Sequence, residues 1–226
     1  MTASLTTTVA EIEIELFASR GAYLPEHETL LVADLHLGKD ATFRRSGVPV
    51  PTGSCEGTLA VVASLLKRTG AKPLVILGDM FHARCSLAPE VIAAVDRFLV
   101  SCAAVELVLV RGNHDARVGR LPAHWPIEMV EAGQRLGKVA LAHEPADPPV
   151  GADLLLCGHV HPAIRISGRH RSFGKLPCFW FSGGCLVFPA LGQFTGTFAI
   201  QPRRADRIWL IADDEIIEHL PGSTTN

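Results

Sequence analysis

Five short motifs carry side chains able to bind metal ions or move protons: Asp34-Leu35-His36, Gly78-Asp79, Gly112-Asn113-His114-Asp115, Ala142-His143-Glu144 and Gly158-His159-Val160-His161. Each follows a short apolar run of the kind that forms a buried strand, and in open α/β sheets the loops at such strand ends converge on a crevice. Their metal-compatible donors number seven: Asp34, His36, Asp79, Asn113, His143, His159 and His161. One ion needs about four protein ligands, and two ions sharing a carboxylate need about six to eight donors. Seven donors without a cysteine therefore point to a binuclear centre for Mn²⁺, Fe or Zn²⁺. Two such ions can hold a bridging hydroxide and clamp the oxygens of a phosphate undergoing in-line displacement. A lone Asp-x-His or Gly-Asp would mean nothing, since both recur as caps and turns. Gly-Asn-His-Asp, however, is expected by chance in roughly one chain of this length per thousand, and here it stands in order with the other four.

The elements that must position these motifs are legible from periodicity. Glu11 to Leu16 alternates as an edge or half-exposed strand, and Thr29 to Ala33 is a short apolar run leading into Asp34. Residues 38 to 53, rich in Lys, Arg, Gly and Pro, read as a loop. Ser54 to Arg68 carries one apolar stripe, Leu59, Val62, Ala63, Leu65 and Leu66, and is closed by Gly70. Leu74 to Leu77 reads as a strand, Pro89 opens a helix with Val91, Ile92, Val95, Phe98 and Leu99 inward, and Val105 to Val110 is again a strand. That strand and helix order predicts parallel strands with crossover helices. The second half breaks into short β-type runs: Lys138 to Ala142, Asp153 to Cys157, Ala163 to Ser167, Cys178 to Phe181, Phe194 to Ile200 and Ile208 to Ile211. They predict a second, largely antiparallel sheet. With no linker or repeat, residues 1–226 are expected to form one domain.

Composition excludes more than it identifies. The 226 residues are 48% hydrophobic and 19% charged, which excludes disorder, collagen-like repeats and coiled coil. The six cysteines show no zinc-knuckle or redox spacing and read as small buried hydrophobes in a reducing compartment. There is no signal-like start and no run of about 18 apolar residues, so a cytoplasmic protein without membrane contact is expected. The formal charge of −2 hides an asymmetry: Leu154 to Ala205 contains no Asp or Glu, yet carries Arg165, Arg169, Arg171, Lys175, Arg203 and Arg204. Beside a metal cleft such a tract would steer a polyanion; otherwise it is a soluble hairpin tip. Phe179-Trp180-Phe181 reads as packed strand rather than a base-stacking platform.

From about Leu31 to His161 the motifs resemble the calcineurin-like binuclear metallophosphoesterases. The resemblance implies an αββα sandwich of two mixed β-sheets flanked by helices. It implies one ion on Asp34, His36 and His161, a second on Asn113, His143 and His159, and Asp79 bridging both. His114 would contact the scissile phosphate and protonate the leaving oxygen, with Asp115 orienting it; a carboxylate partner holds an imidazole in one tautomer and suits it to general acid work. Ala33-Asp34-Leu35-His36-Leu37-Gly38-Lys39, the stretch Phe43 to Gly53 and Gly78-Asp79-Met80-Phe81-His82 are similar to a narrower group, the bacterial ligase-associated DNA damage response endonucleases. That likeness implies a manganese-dependent phosphodiesterase cutting DNA, single-stranded or loosened, and linked to a DNA ligase, a helicase and an exonuclease. The alternatives are a phosphodiesterase or phosphatase for a nucleotide or lipid diphosphate, and a metal-poor scaffold of the same fold.

Around the centre, Lys39, Arg44 and His82 are candidate substrate-binding residues, Arg44 foremost because a guanidinium fork matches phosphate. Glu144 reads as an acceptor orienting a ligand imidazole or as a solvated loop acid. His124 has no place in the family pattern, and His27, His170 and His219 read as surface residues.

Overall fold

The computed structural model describes residues 3–45, 47–51, 53–82, 87–168, 171–219 and 221. The first sheet runs in chain order: β1 (Ser4–Val9), β2 (Ile12–Phe17), β3 (Ala22–Leu24), β4 (Thr29–Val32), β5 (Pro73–Ile76), β6 (Glu106–Val110) and β7 (Ile127–Val130). β1 to β4 pair antiparallel, and β4 to β7 pair parallel. The crossovers hold α1 (Lys39–Arg45), α2 (Ser54–Thr69) and α3 (Pro89–Ser101). The α1 segment was expected to be loop. Gly38 precedes the helix and the other Gly and Pro residues of 38–53 fall after Arg45, which leaves room for two helical turns. The helix α2 stops where the sequence places its end: Gly70 adopts φ of +70° and donates its N–H to Leu66 O.

The second sheet takes β8 (Gln134–Leu136), β9 (Val139–Leu141), β10 (Leu154–Cys157), β11 (Pro162–Gly168), β12 (Arg171–Ser182), β13 (Cys185–Val187), β14 (Phe198–Ala199), β15 (Arg207–Ala212) and β16 (Glu215–His219). β8–β9, β11–β12, β12–β13, β12–β15 and β15–β16 pair antiparallel, whereas β9, β10 and β13 pair parallel and the edge strand β14 pairs parallel with β11. The sheet is therefore mixed, and the parallel trio aims the ends of β9 and β10 at one edge.

Period-two alternation splits the core. Leu30, Val32, Leu74 and Ile76 face α2 and α3, where they meet Leu59, Val62, Leu65, Val91 and Phe98. Leu31, Ala33, Val75 and Leu77 face the second sheet and pack on Leu141, Leu154, Leu156, Phe179 and Trp209. Strands buried on both faces read as the continuous apolar runs seen in the sequence. On the outer face of the second sheet lie two smaller apolar clusters containing no helical residue among those described. No helix among the described residues is long and apolar enough to cross a membrane.

Candidate metal centre

All five motifs leave the same edge of the sandwich, and the loops are stitched to one another beyond the strands. His36 N–H donates to Asp79 O (2.9 Å), Leu37 N–H to Met80 O (2.8 Å) and Gly158 N–H to His143 O (3.0 Å). Five of the seven donors, Asp34, His36, Asp79, His159 and His161, hold φ between +46° and +71°. Non-glycine residues seldom adopt that left-handed region, and strain of this kind persists only where the surroundings over-determine it. The glycines preceding the motifs answer to close approach. A Cβ on Gly112 would lie 2.2 Å from Asp79 Oδ1, one on Gly158 would lie 2.5 Å from Asp34 Oδ2, and one on Gly78 would lie 2.2 Å from His143 Nδ1. Three of the motifs thus clear space for a donor from another.

Backbone partners aim the donors. His159 N–H donates to Asp34 Oδ2 (2.8 Å) and His114 N–H to Asp79 Oδ1 (2.9 Å), leaving the other carboxylate oxygen of each to the centre. His143 donates Nδ1–H to Leu77 O (3.0 Å) and His161 donates Nδ1–H to Gly196 O (3.1 Å), which turns both Nε2 lone pairs inward.

Two groups result. In the first, His161 Nε2 lies 3.4 Å from Asp34 Oδ1 and 3.2 Å from His36 Nε2. In the second, Asn113 Oδ1, His143 Nε2 and His159 Nδ1 lie 3.0–3.1 Å apart. Asp79 Oδ2 stands between them, 3.4 Å from His143 Nε2 and 4.0 Å from His36 Nε2. Asp34, His36 and His161, and likewise Asp79, His143 and His159 with Asn113 beside them, are each compact enough to hold one ion.

The donors fit divalent cations on electrostatic grounds. Asp34 and Asp79 are buried, and their ion pairs among the described residues are all with imidazoles. Asp34 Oδ1 is buried with no hydrogen-bond partner, an expensive state for a carboxylate unless a cation sits beside it. Burial by itself lowers the pKa of His143, but the hydrogen bond to Asp79 and its charge outweigh burial and lift it to about 9. The same contacts hold Asp79 below the usual carboxylate range against the upward push of burial. The pocket thus favours positive charge. By contrast, burial drives His36 down to about 3, so its imidazole is neutral and available as a ligand.

His114 lies beside both groups. Its Nδ1–H is held by the main-chain carbonyl of His82, its ring stacks on the His82 ring at 5.1 Å, and its Nε2 lies 3.9 Å from Asp79 Oδ2. Here the structure corrects the expectation for Asp115. That carboxylate does not orient His114; it accepts N–H groups from Phe81 and Gly112, both at 3.1 Å, and so ties two of the metal loops together. It is buried, and burial pushes its pKa up.

The substrate-binding candidates separate. Lys39 opens α1 close enough to Asp34, His36 and His82 for its charge to act on them. Arg44 does not turn to the site: its guanidinium binds Asp40 (3.0 Å) and Pro51 O (3.3 Å), because one helical turn brings residues 40 and 44 together. His82 has a buried Nδ1 without a partner, and burial followed by Lys39 and His114 lowers its pKa to about 4. His124 is exposed and bonds Asp96 on α3 (2.9 Å), and Glu144 is exposed. Of the remaining histidines, His170 and the neighbouring Arg169 fall outside the described residues.

Sequence reasoning missed the segment from Leu191 to Thr197. Leu191 and Gly192 donate N–H groups to Ala33 O (3.0 Å) and Asp34 O (3.1 Å), and Gly196 O holds His161. Its action is through main-chain atoms, which leave no residue-type signature; only the density of glycine there is visible.

The calcineurin-like phosphoesterase family profile matches residues 28–142. Among solved structures, the chain is similar to the Pseudomonas putida nuclease MPE, at 35% identity and a TM-score of 0.80, over 92% of this chain and 97% of that one. It also aligns with YfcE, a phosphoesterase from E. coli, at 20% identity and a TM-score of 0.44, over 85% of this chain and 98% of that one. No curated protein matches. With the profile spanning half of the chain and the paired donor groups standing on its strand ends, the chain belongs to the calcineurin-like phosphoesterase family.

Proposed function

We propose that this metallophosphoesterase is a DNA-cutting phosphodiesterase dependent on two divalent cations, Mn²⁺ foremost, acting in DNA repair in the cytoplasm. One observation carries the reading: both donor groups, the shared Asp79 and His114 stand together on a chain 35% identical to a nuclease over nearly its whole length. Asp34, His36 and His161 would hold one ion, Asn113, His143 and His159 the other, with Asp79 shared. Bound there, the cations supply Lewis acidity toward phosphoryl oxygens and acidify water.

The remaining steps belong to the chain. His114, its Nδ1–H fixed on His82 O, presents Nε2 to the phosphate and carries the proton that the departing oxygen needs. His82, stacked against it, keeps that ring in one plane. Lys39 supplies a positive charge on the approach to Asp34 and His36. The rigid loops hold these groups in place before the substrate arrives, so little reorganisation is left for the reaction.

The test is incubation with Mn²⁺ and labelled single-stranded, duplex and circular DNA beside bis-p-nitrophenyl phosphate. Cleavage of DNA and of the ester is expected. Ester hydrolysis without any DNA cleavage overturns the nuclease reading in favour of a small-molecule phosphodiesterase, and loss of both in the wild type overturns the enzymatic one.

A further inference from the structure

The hairpin of β11 and β12 starts at the metal centre and leaves the sandwich. β11 follows His161 directly, and its direction is that of β10, because β10 pairs parallel with β13, β13 antiparallel with β12, and β12 antiparallel with β11. On β12, Trp180 faces Val187, which is level with Cys157 at the end of β10. Lys175 lies five residues beyond Trp180 on the same strand, about 17 Å past the level at which β10 ends, at ~3.4 Å per residue.

Parity fixes which side this extension shows. Phe179 is buried between the sheets, so Pro177 and Lys175 continue the inner face, and the register sets Ala163 and Arg165 opposite them. Arg165 and Lys175 are therefore directly cross-strand, both exposed, on the face that continues from the inter-sheet side over the metal-bearing edge. Like charges placed opposite one another weaken a sheet. Neither has an ion pair among the described residues, and no acid occurs from Leu154 to Ala205. The Lys175 ammonium donates to Thr197 O, the carbonyl next to the Gly196 O that holds the His161 ring. Its charge is thus pinned beside the metal-ligand loop rather than free in solvent.

We propose that Arg165 and Lys175 are a phosphate-binding pair for the substrate strand, holding backbone phosphates that flank the scissile one. The proposal rests on the nuclease reading for its substrate class, and it accounts for a paired positive charge that costs the hairpin stability. A single phosphate ester seated at the ions has no second phosphate to offer the pair; a polynucleotide has.

The experiment compares wild type with the double variant Arg165→Ala/Lys175→Ala. It uses polarisation of fluorescein-labelled oligothymidylate in Ca²⁺ across 50–200 mM salt, bis-p-nitrophenyl phosphate hydrolysis in Mn²⁺, and thermal melting. Expected are roughly tenfold weaker oligonucleotide binding at low salt and a log–log salt slope shallower by about 1.4, from ~0.7 per phosphate contact on a single strand. Ester kcat and KM should stay within about twofold, and the charge-conserving Arg165→Lys/Lys175→Arg variant should restore the slope. An unchanged slope, or no oligonucleotide binding by either protein, overturns the proposal. So does a loss of ester hydrolysis and melting temperature together with binding, since the pair would then be structural. A wild type that binds oligonucleotide through the pair yet cuts no DNA removes the nuclease reading and leaves this one standing.

Discussion

The two sheets contribute unequally to the centre. The first sheet, whose strands lie side by side in chain order, supplies both carboxylates, the carboxamide and one imidazole: Asp34, His36, Asp79 and Asn113. The second, whose order departs from the chain, supplies only imidazoles: His143, His159 and His161. Asp34, His36 and Asp79 are almost fully buried, as is His143 on the second sheet, whereas His159 is exposed and His161 partly so. Negative charge is therefore fixed deep in one wall and imidazoles close over it from the other. Buried carboxylates are expensive and need backbone donors: Asp79 takes one from His114 on the first sheet, and Asp34 one from His159 on the second. Imidazoles cost less to expose, and His159 and His161 hold the more exposed side of the cluster.

That asymmetry is tested most severely at Asp79, the residue both groups share. Asp79→Ala is expected to abolish metal-dependent ester hydrolysis and to lower metal content for both ions. His159→Ala, on the second sheet, should lose about one equivalent per chain, read by elemental analysis of the purified protein. Equal losses in the two variants would erase the distinction between the walls.

His114→Ala should lower kcat by about 10²- to 10⁴-fold, the usual range for a general acid, with metal content unchanged. A matching fall in bound metal would make His114 a ligand instead.

Smaller effects follow from the glycines that let the walls meet. Gly112→Ala and Gly158→Ala push a methyl toward Asp79 and Asp34, and each should cost roughly 10- to 100-fold in activity or metal affinity, as misplaced ligand supports do. Wild-type titration curves for both variants would show that the loops yield more easily than the contacts require.

The smallest lies away from the centre, on the second sheet alone. Asp206 Oδ2 accepts from Trp180 Nε1 (2.9 Å) and Arg203 N (2.8 Å). Burial raises its pKa, but these bonds, one from Ser182 and the Arg203 charge together lower it. Because the folded value is depressed, the stabilisation is complete above the ordinary Asp range and is lost as pH falls through the folded pKa. Asp206→Ala should cost about 1–3 kcal/mol by denaturant unfolding at pH 7 and less near pH 3, with activity kept. An equal cost at both pH values would assign the effect to packing.

Legibility followed the same division. In the first sheet β4, β5 and β6 were readable because each is a short apolar run and striped helices lie between them, α2 with a glycine stop at Gly70, and β2 was readable by alternation; β1, β3 and β7 are too polar or too short to signal a strand. The second was readable as strands but not as an order. β13, three residues long, and β8 carry too little pattern to signal a strand, and without β13 the parallel seating of β10 is invisible. Arg44 was misplaced for a local reason: the Asp40 that captures it is visible in the sequence only once residues 39–45 are known to be helical. Asp115 stands next to His114 in the chain, yet the short turn that follows points its carboxylate back to Phe81 and Gly112.

By itself the sequence named the candidate donors and their N/O character, because metal preference is a property of side-chain chemistry that survives without coordinates. It also determined that each donor follows a buried strand. How the seven divide and which carboxylate stands between the groups came only through the family resemblance, and what holds His114 is visible only in the tertiary structure, since these contacts depend on loops from two sheets meeting within hydrogen-bond distance. The left-handed backbone at five donors and the methyl-free contacts at Gly112 and Gly158 belong to that second category. They arise from the crowding of five loops at one edge, a constraint that no single segment of the chain contains.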